Sequence, residues 1–153
     1  MLFTIGYEKS ELQDFIQTVR AAGVEVLVDI RDRAQSRRKG FSKTALAAAL
    51  NEAGIEYIHY RELGDPKEGR EAARAGDFER FKTIYSAVLK SDEAQAALSK
   101  LESLAQEHAI CLLCYERDHR ECHRKMVADS LKKRINVAIT HLGVQPIEAR
   151  RAA

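Results

Sequence analysis

Residues 110–124, ICLLCYERDHRECHR, read as an apolar strand running into a polar turn and then a helix that opens near Cys122. All three cysteines of the chain lie here, together with His119, His123, Arg117, Arg120 and Arg124. In an open α/β sheet, ligands bind in the loops past the carboxyl ends of strands. The stretch therefore carries two readings: a buried strand of a parallel sheet, and a candidate site at its end.

Working outward, residues 24–30 form a second near-continuous apolar run, as a strand covered on both faces requires. Residues 2–5, 55–60 and 137–142 are further candidate strands, and 109–114 is the strand of the opening stretch. Leu12, Phe15, Ile16 and Val19 recur at helical spacing, with Ser10 as the expected cap and Gly23 past the end. Ser42 is expected to cap a helix that Gly54 closes. Helices are also expected over 78–89, after Asp92, and through Met126, Val127 and Leu131. Residues 61–77 hold Gly64, Asp65, Pro66, Gly69 and Gly76 and read as a long irregular loop, a type that usually carries function or moves. The alternation predicts an α/β fold. It is a single three-layer domain over 1–142, with a mainly parallel sheet of about five strands and helices on both faces, and 143–153 as a C-terminal tail.

With 153 residues, 45% hydrophobic and 31% charged, the chain can bury its own core. No apolar run reaches the roughly 18 residues of a membrane span, so no membrane partner is expected. MLFTIGYEKS lacks the basic-then-apolar pattern of a secretory signal. Three cysteines suit a reducing compartment better than a disulfide scaffold, and the expected localisation is cytoplasmic. The net charge of +2 excludes little, but its distribution is uneven. Arg31, Arg33, Arg37, Arg38, Lys39 and Lys43 make one basic block, while Glu62, Asp65, Glu68, Glu71, Asp77 and Glu79 gather downstream.

Several chemistries compete for the strand ends. Cys111 and Cys114 have metal-knuckle spacing, yet on a strand residues three apart point to opposite faces, which makes Cys111 a core residue. Cys114, Cys122 and His123 are candidates to converge across the loop as three ligands. No second C-x-x-C or H-x-x-x-H completes a structural site, so neither a metal nor a cofactor is expected. Cys114 and Arg120 have the C-x5-R spacing of phosphatase-like loops, but the intervening loop has no glycine and carries two acids, which points to coincidence. Cys122 is expected in the first turn of its helix, beside His123 and Arg124, where the dipole and cations lower a thiol pKa; the competing reading is a structural cysteine. Arg31, Arg37, Arg38, Lys39 and Ser42 are suitable phosphate ligands, and the competing reading is a solvated basic loop. Tyr7, Phe41 and Tyr60 are candidates to stack on a base or to fill the core.

Several stretches together carry a resemblance. They are Thr4-Ile5-Gly6-Tyr7-Glu8, Val28-Asp29-Ile30-Arg31, Ser36-Arg37-Arg38-Lys39-Gly40-Phe41-Ser42, the Glu62-to-Pro66 loop, Leu113 to Asp118, and Cys122-His123-Arg124. Over about residues 3 to 142 the chain resembles the family catalogued as domain of unknown function 488. In that family the segment before Ser36 contains a proline; here it is Asp32-Arg33-Ala34-Gln35. The resemblance implies an α/β domain and makes these stretches its motif positions, without implying an activity. Val28 to Arg31 is also similar to a strand end of rhodanese-like domains, whose glycine-bearing catalytic loop is absent here.

The leading expectation is an enzyme or enzyme-like domain whose rim cleft binds a phosphorylated or nucleic-acid-derived ligand. Arg31, Arg37 and Arg117 would hold its anionic groups, beside Tyr7, Glu8, Ser36 and Arg124. Glu116 would be the general acid/base, and Cys122 with His123 the reactive or ligand-orienting pair. Replacing Arg31 is then expected to weaken binding with little loss of stability. The rival is a non-catalytic module that binds nucleic acid or protein through residues 31–43. A third reading makes Cys114, Glu116 and Arg117 a purely structural lock on the loop.

Overall fold

A computed structural model describes residues 1–147. Five strands, β1 (Leu2–Gly6), β2 (Val26–Asp29), β3 (Glu56–His59), β4 (Ile110–Cys114) and β5 (Ile139–Leu142), form one sheet in the order β3-β2-β4-β1-β5. Every pairing is parallel. The three inner strands are buried at every position, which accounts for their mainly apolar sequences, with Thr4 and Asp29 as the buried polar exceptions. The edge strands β3 and β5 are only partly buried, so their sequences are more polar.

Helices α1 (Leu12–Ala21) and α2 (Lys43–Glu52) cover one face. Their Phe15, Val19, Leu46 and Leu50 pack on Phe3, Ile5, Leu27, Cys111 and Leu113. The other face takes α3 (Lys67–Arg74), α4 (Phe78–Leu89), α5 (Asp92–Glu107) and α6 (His123–Arg134). There Phe81, Tyr85, Leu98, Leu101, Val127 and Leu131 pack on Leu2, Val26, Val28, Ile110 and Leu112. The alternation along β4 sends Cys111 into the first core, away from Cys114, as its spacing predicted.

Three local expectations are corrected. Residues 61–77 are not irregular: a 3-10 turn at Arg61–Leu63 is followed by α3. Only Gly69 and Ala72 of α3 are buried, so no apolar stripe announces the helix. Ser42 does occupy the cap position of α2, but its hydroxyl bonds the backbone N–H and carbonyl of Ser36 and pins the basic loop. Glu11, not Ser10, precedes α1, and the Ser10 hydroxyl donates to the Glu8 carbonyl. Asp77 and Ser91 cap α4 and α5 through their side chains. Past β5, Val144 is buried, and the backbone N–H groups of Gln145 and Ile147 bond Thr18 and Asp14 of α1. The rest of the expected tail, 148–153, lies outside the described residues.

Candidate functional site

The carboxyl ends of β1, β2 and β4 open into a cleft of about 1020 Å³. Its walls come from the turns after β1 and β2, from α3, and from the Cys114–Glu116 strand end. Tyr7, Glu8, Arg31, Ser36, Arg37, Glu116 and His123 all border it, so seven of the ten residues expected at the site meet there. Cys122, Arg117 and Arg124 do not.

Two buried arginines brace the strand ends around the cleft, and only Arg31 borders it. Arg31 holds Asp29 through Nε and Nη2 at 2.9 and 2.7 Å, and through Nη1 donates to the Tyr7 hydroxyl and the Phe41 carbonyl. Asp29 also accepts from Tyr57 and from the Arg31 backbone. Burial alone would lower the pKa of Arg31, but the hydrogen bonds and charge of Asp29 outweigh it and keep the guanidinium charged. The expectation that Arg31 is a free anion ligand is thus corrected, because four of its five N–H groups already serve the protein. The extended chain gave no sign of this, since Tyr7 and Phe41 reach Arg31 only in the fold.

Arg124 is fully buried. It donates to Thr4 Oγ1, to Cys114 Sγ, and to the carbonyls of Glu116 and Arg117. It therefore clamps the loop after β4 to β1; burial lowers its pKa to about 10, still charged at neutral pH. Gly6 is required at this junction, because a Cβ there would lie 1.8 Å from the Glu116 carbonyl oxygen. Glu8 completes the lock by accepting from the Arg117 N–H. The Arg117 side chain is exposed, away from the cleft.

Among the carboxyl groups that line the cleft, Asp65, Glu116 and Asp32 lie close enough to act on one another. Asp65 is 6% exposed and its Oδ1 has no hydrogen-bond partner among the described residues. It packs so tightly on α3 that a Cβ on Gly69 would come within 1.9 Å of that oxygen. Burial, helped by Glu116 and Asp32, raises its pKa to about 7 against the opposing charge of Arg70. Burial also raises the pKa of Glu116. Asp32 and the Asp65 carbonyl both accept from Arg70 Nη1.

Cys114 and Cys122 are joined as a disulfide rather than carried as free thiols. Cys122 caps α6 by accepting from the Arg124 backbone N–H. His123 Nε2 lies 2.7 Å from the Ile30 carbonyl, and burial lowers the imidazole's pKa to about 4, so the ring is neutral. Arg120 pairs with Asp118 and does not turn toward Cys114, which disposes of the C-x5-R spacing.

The open wall differs in kind. Arg33, Arg37 and Arg74 line the cleft, are exposed, and make no side-chain hydrogen bond or ion pair among the described residues. Beside them Tyr115 and Phe78 are 47% and 38% exposed. Tyr7 stacks on Phe41 and meets Tyr115 edge-on, fixing that ring at the cleft mouth. Tyr7 and Phe41 themselves are core residues. Sequence reasoning missed Asp32, Asp65, Arg70, Arg74, Phe78 and Tyr115. Asp65 lies in the Glu62-to-Pro66 loop, where nothing in the sequence marks its burial. Arg70 and Arg74 have i,i+4 spacing, a signal that becomes useful only once α3 is known to be a helix.

Fold and site together define a parallel α/β domain with a polar cleft at its switch region. The chain belongs to the family described as domain of unknown function DUF488, whose model matches residues 11–131. No curated protein and no solved structure matched it.

Proposed function

We propose that the cleft binds a phosphorylated ligand with a planar ring, a nucleotide or the end of a nucleic-acid strand. The observation that carries this is the open wall. Three exposed arginines that make no ion pair among the described residues stand beside two exposed aromatic rings in one concavity, with Arg74 in the field of Glu116. Guanidinium groups suit phosphate oxygens, and rings such as Tyr115 and Phe78 suit the face of a base. Arg33, Arg37 and Arg74 take the phosphate, while Arg31 and Arg124 hold the walls in place. Glu116 and Asp65, at the floor, are the acid/base candidates if the ligand is transformed. We place this work in the cytoplasm, where such ligands are abundant.

A thermal-shift panel at low salt tests the reading, with nucleotides, inorganic phosphate and short DNA and RNA as probes. A ligand at 100 times its dissociation constant should stabilise the chain by about 2.7 kcal/mol. The expected result is a nucleotide-dependent shift abolished in the Arg37→Ala/Arg74→Ala double variant. No shift with any nucleotide or phosphate, or one that persists in that variant, overturns it. A steeply salt-dependent response to long nucleic acid alone, unchanged in Glu116→Gln, makes the basic loop a non-catalytic binding surface instead.

A further inference from the structure

The ligand reading leaves the sulfur side of the floor without a task. The two sulfurs of Cys114 and Cys122 and a ring nitrogen of His123 lie within 4.8 Å of one another, all buried. We propose that, once the disulfide is reduced, these three residues form an open three-ligand site for a divalent cation of the zinc class at the floor of the cleft. This goes beyond the ligand reading and does not depend on it.

Spacing is the first argument. His123 Nδ1 is 3.6 Å from Cys122 Sγ. A tetrahedral ion with bonds of about 2.3 Å to sulfur and about 2.1 Å to nitrogen sets those ligand atoms about 3.6 Å apart. The Cα atoms of Cys114 and Cys122 are 7.3 Å apart. Disulfide-linked pairs usually span roughly 4.4–6.8 Å. A wider pair leaves room for two thiolates about 3.8 Å apart on one ion.

The second argument is the state of the histidine. The Ile30 carbonyl 2.7 Å from Nε2 can only accept, so Nε2 carries the hydrogen and Nδ1 presents its lone pair on the side of Cys122. Metal-binding histidines are oriented by this kind of hydrogen bond. The thiolates are supported too. Arg124 Nη1 lies 3.1 Å from Cys114 Sγ, and its backbone N–H points at Cys122 Sγ from the first turn of α6.

The sequence set metal aside for want of a fourth ligand. An ion with three protein ligands and an open position is the arrangement of reactive rather than structural zinc. Cys114 and His123 both border the cleft, so the site lies within reach of what enters it. The chemistry balances as follows: two thiols of a reductant become its disulfide, and their two electrons and two protons convert Cys114–Cys122 to a dithiol. The incoming cation then displaces both thiol protons.

The test uses the full chain, reduced with dithiothreitol, desalted without oxygen and titrated with Co²⁺. The expected result is one Co²⁺ per chain with a thiolate charge-transfer band and tetrahedral d–d absorption, both displaced by Zn²⁺. Oxidised protein should show neither. Cys111→Ser should bind as the parent does, while Cys122→Ser and His123→Gln should weaken binding at least tenfold. No uptake by the reduced parent overturns the proposal, as does an equal loss in Cys111→Ser. Should a variant fail to fold, Zn²⁺ must slow iodoacetamide labelling of Cys114 and Cys122 in the parent at least tenfold, read by mass spectrometry. Unchanged labelling counts against the site.

Discussion

Arg31 and Arg37 stand six residues apart in one basic block, yet they belong to different parts of the molecule. Arg31, with Arg124 across the sheet, is buried and bonded on nearly every donor. Arg37, with Arg33 and Arg74, is exposed and unpaired among the described residues. The first pair makes the cleft and the second set is available to whatever enters it. A guanidinium's meaning is set by how many of its N–H groups the fold has already engaged, not by its place in a charge run.

The largest break in this comparison is expected from Arg31→Met. It strands Asp29, fully buried, without its cation, and unfolding in urea should show a loss of about 3–5 kcal/mol, the usual cost of orphaning a buried charge. A variant as stable as the parent would show that Arg31 is no part of the frame. Arg124→Met comes next. It leaves the Glu116 and Arg117 carbonyls without their donor, which should cost about 2–3 kcal/mol and free the loop after β4 to rapid hydrogen exchange. Protection there equal to the parent's would contradict the clamp.

A pH experiment sharpens the acidic side. The folded state keeps the Asp65 proton up to about pH 7, whereas the unfolded chain releases it near the ordinary value of 3.8. Asp65 therefore contributes stability below its unfolded value that is lost as pH rises toward 7. The slope is at most about 1.4 kcal/mol per pH unit. Asp65→Asn should remove that slope and leave the variant more stable than the parent at pH 8. Parallel stability curves for the two proteins would contradict the shift. The smallest effect belongs to Arg37→Ala. An exposed side chain without partners should change stability by no more than about 0.5 kcal/mol, and a larger loss in denaturant titration would move Arg37 into the frame with Arg31.

The frame was legible wherever burial leaves a periodic mark. β4 announces itself as an unbroken apolar run and β2 as a near-continuous one, and α4 as a stripe through Phe81, Ile84, Tyr85 and Val88. The helix α3 was hidden because its contact face is Gly69 and Ala72, too small to register as hydrophobic. In the site, strand-end position alone brought out Tyr7, Glu8 and Glu116. What it could not supply was pairing across the sequence. Nothing near Arg31 foretells Tyr7 and Phe41, and nothing near Asp65 foretells its crowding against Gly69 and Glu116. The joining of Cys114 to Cys122 was equally hidden, because it depends on how the eight-residue separation folds back.

The strand order has a consequence for synthesis. β1 and β2 are never neighbours; each pairs with β4, which lies between them. As the chain leaves the ribosome, its first 109 residues can join β2 to β3, but β1 has no sheet partner until Ile110 to Cys114 emerge. Until then β1 is unpaired and β2 keeps one open edge, both exposed to aggregation or to a chaperone. The strand that delivers Cys114 to the cleft is thus also the keystone. A nascent chain stalled just before it should be protease-sensitive, and one released just after α6 should not.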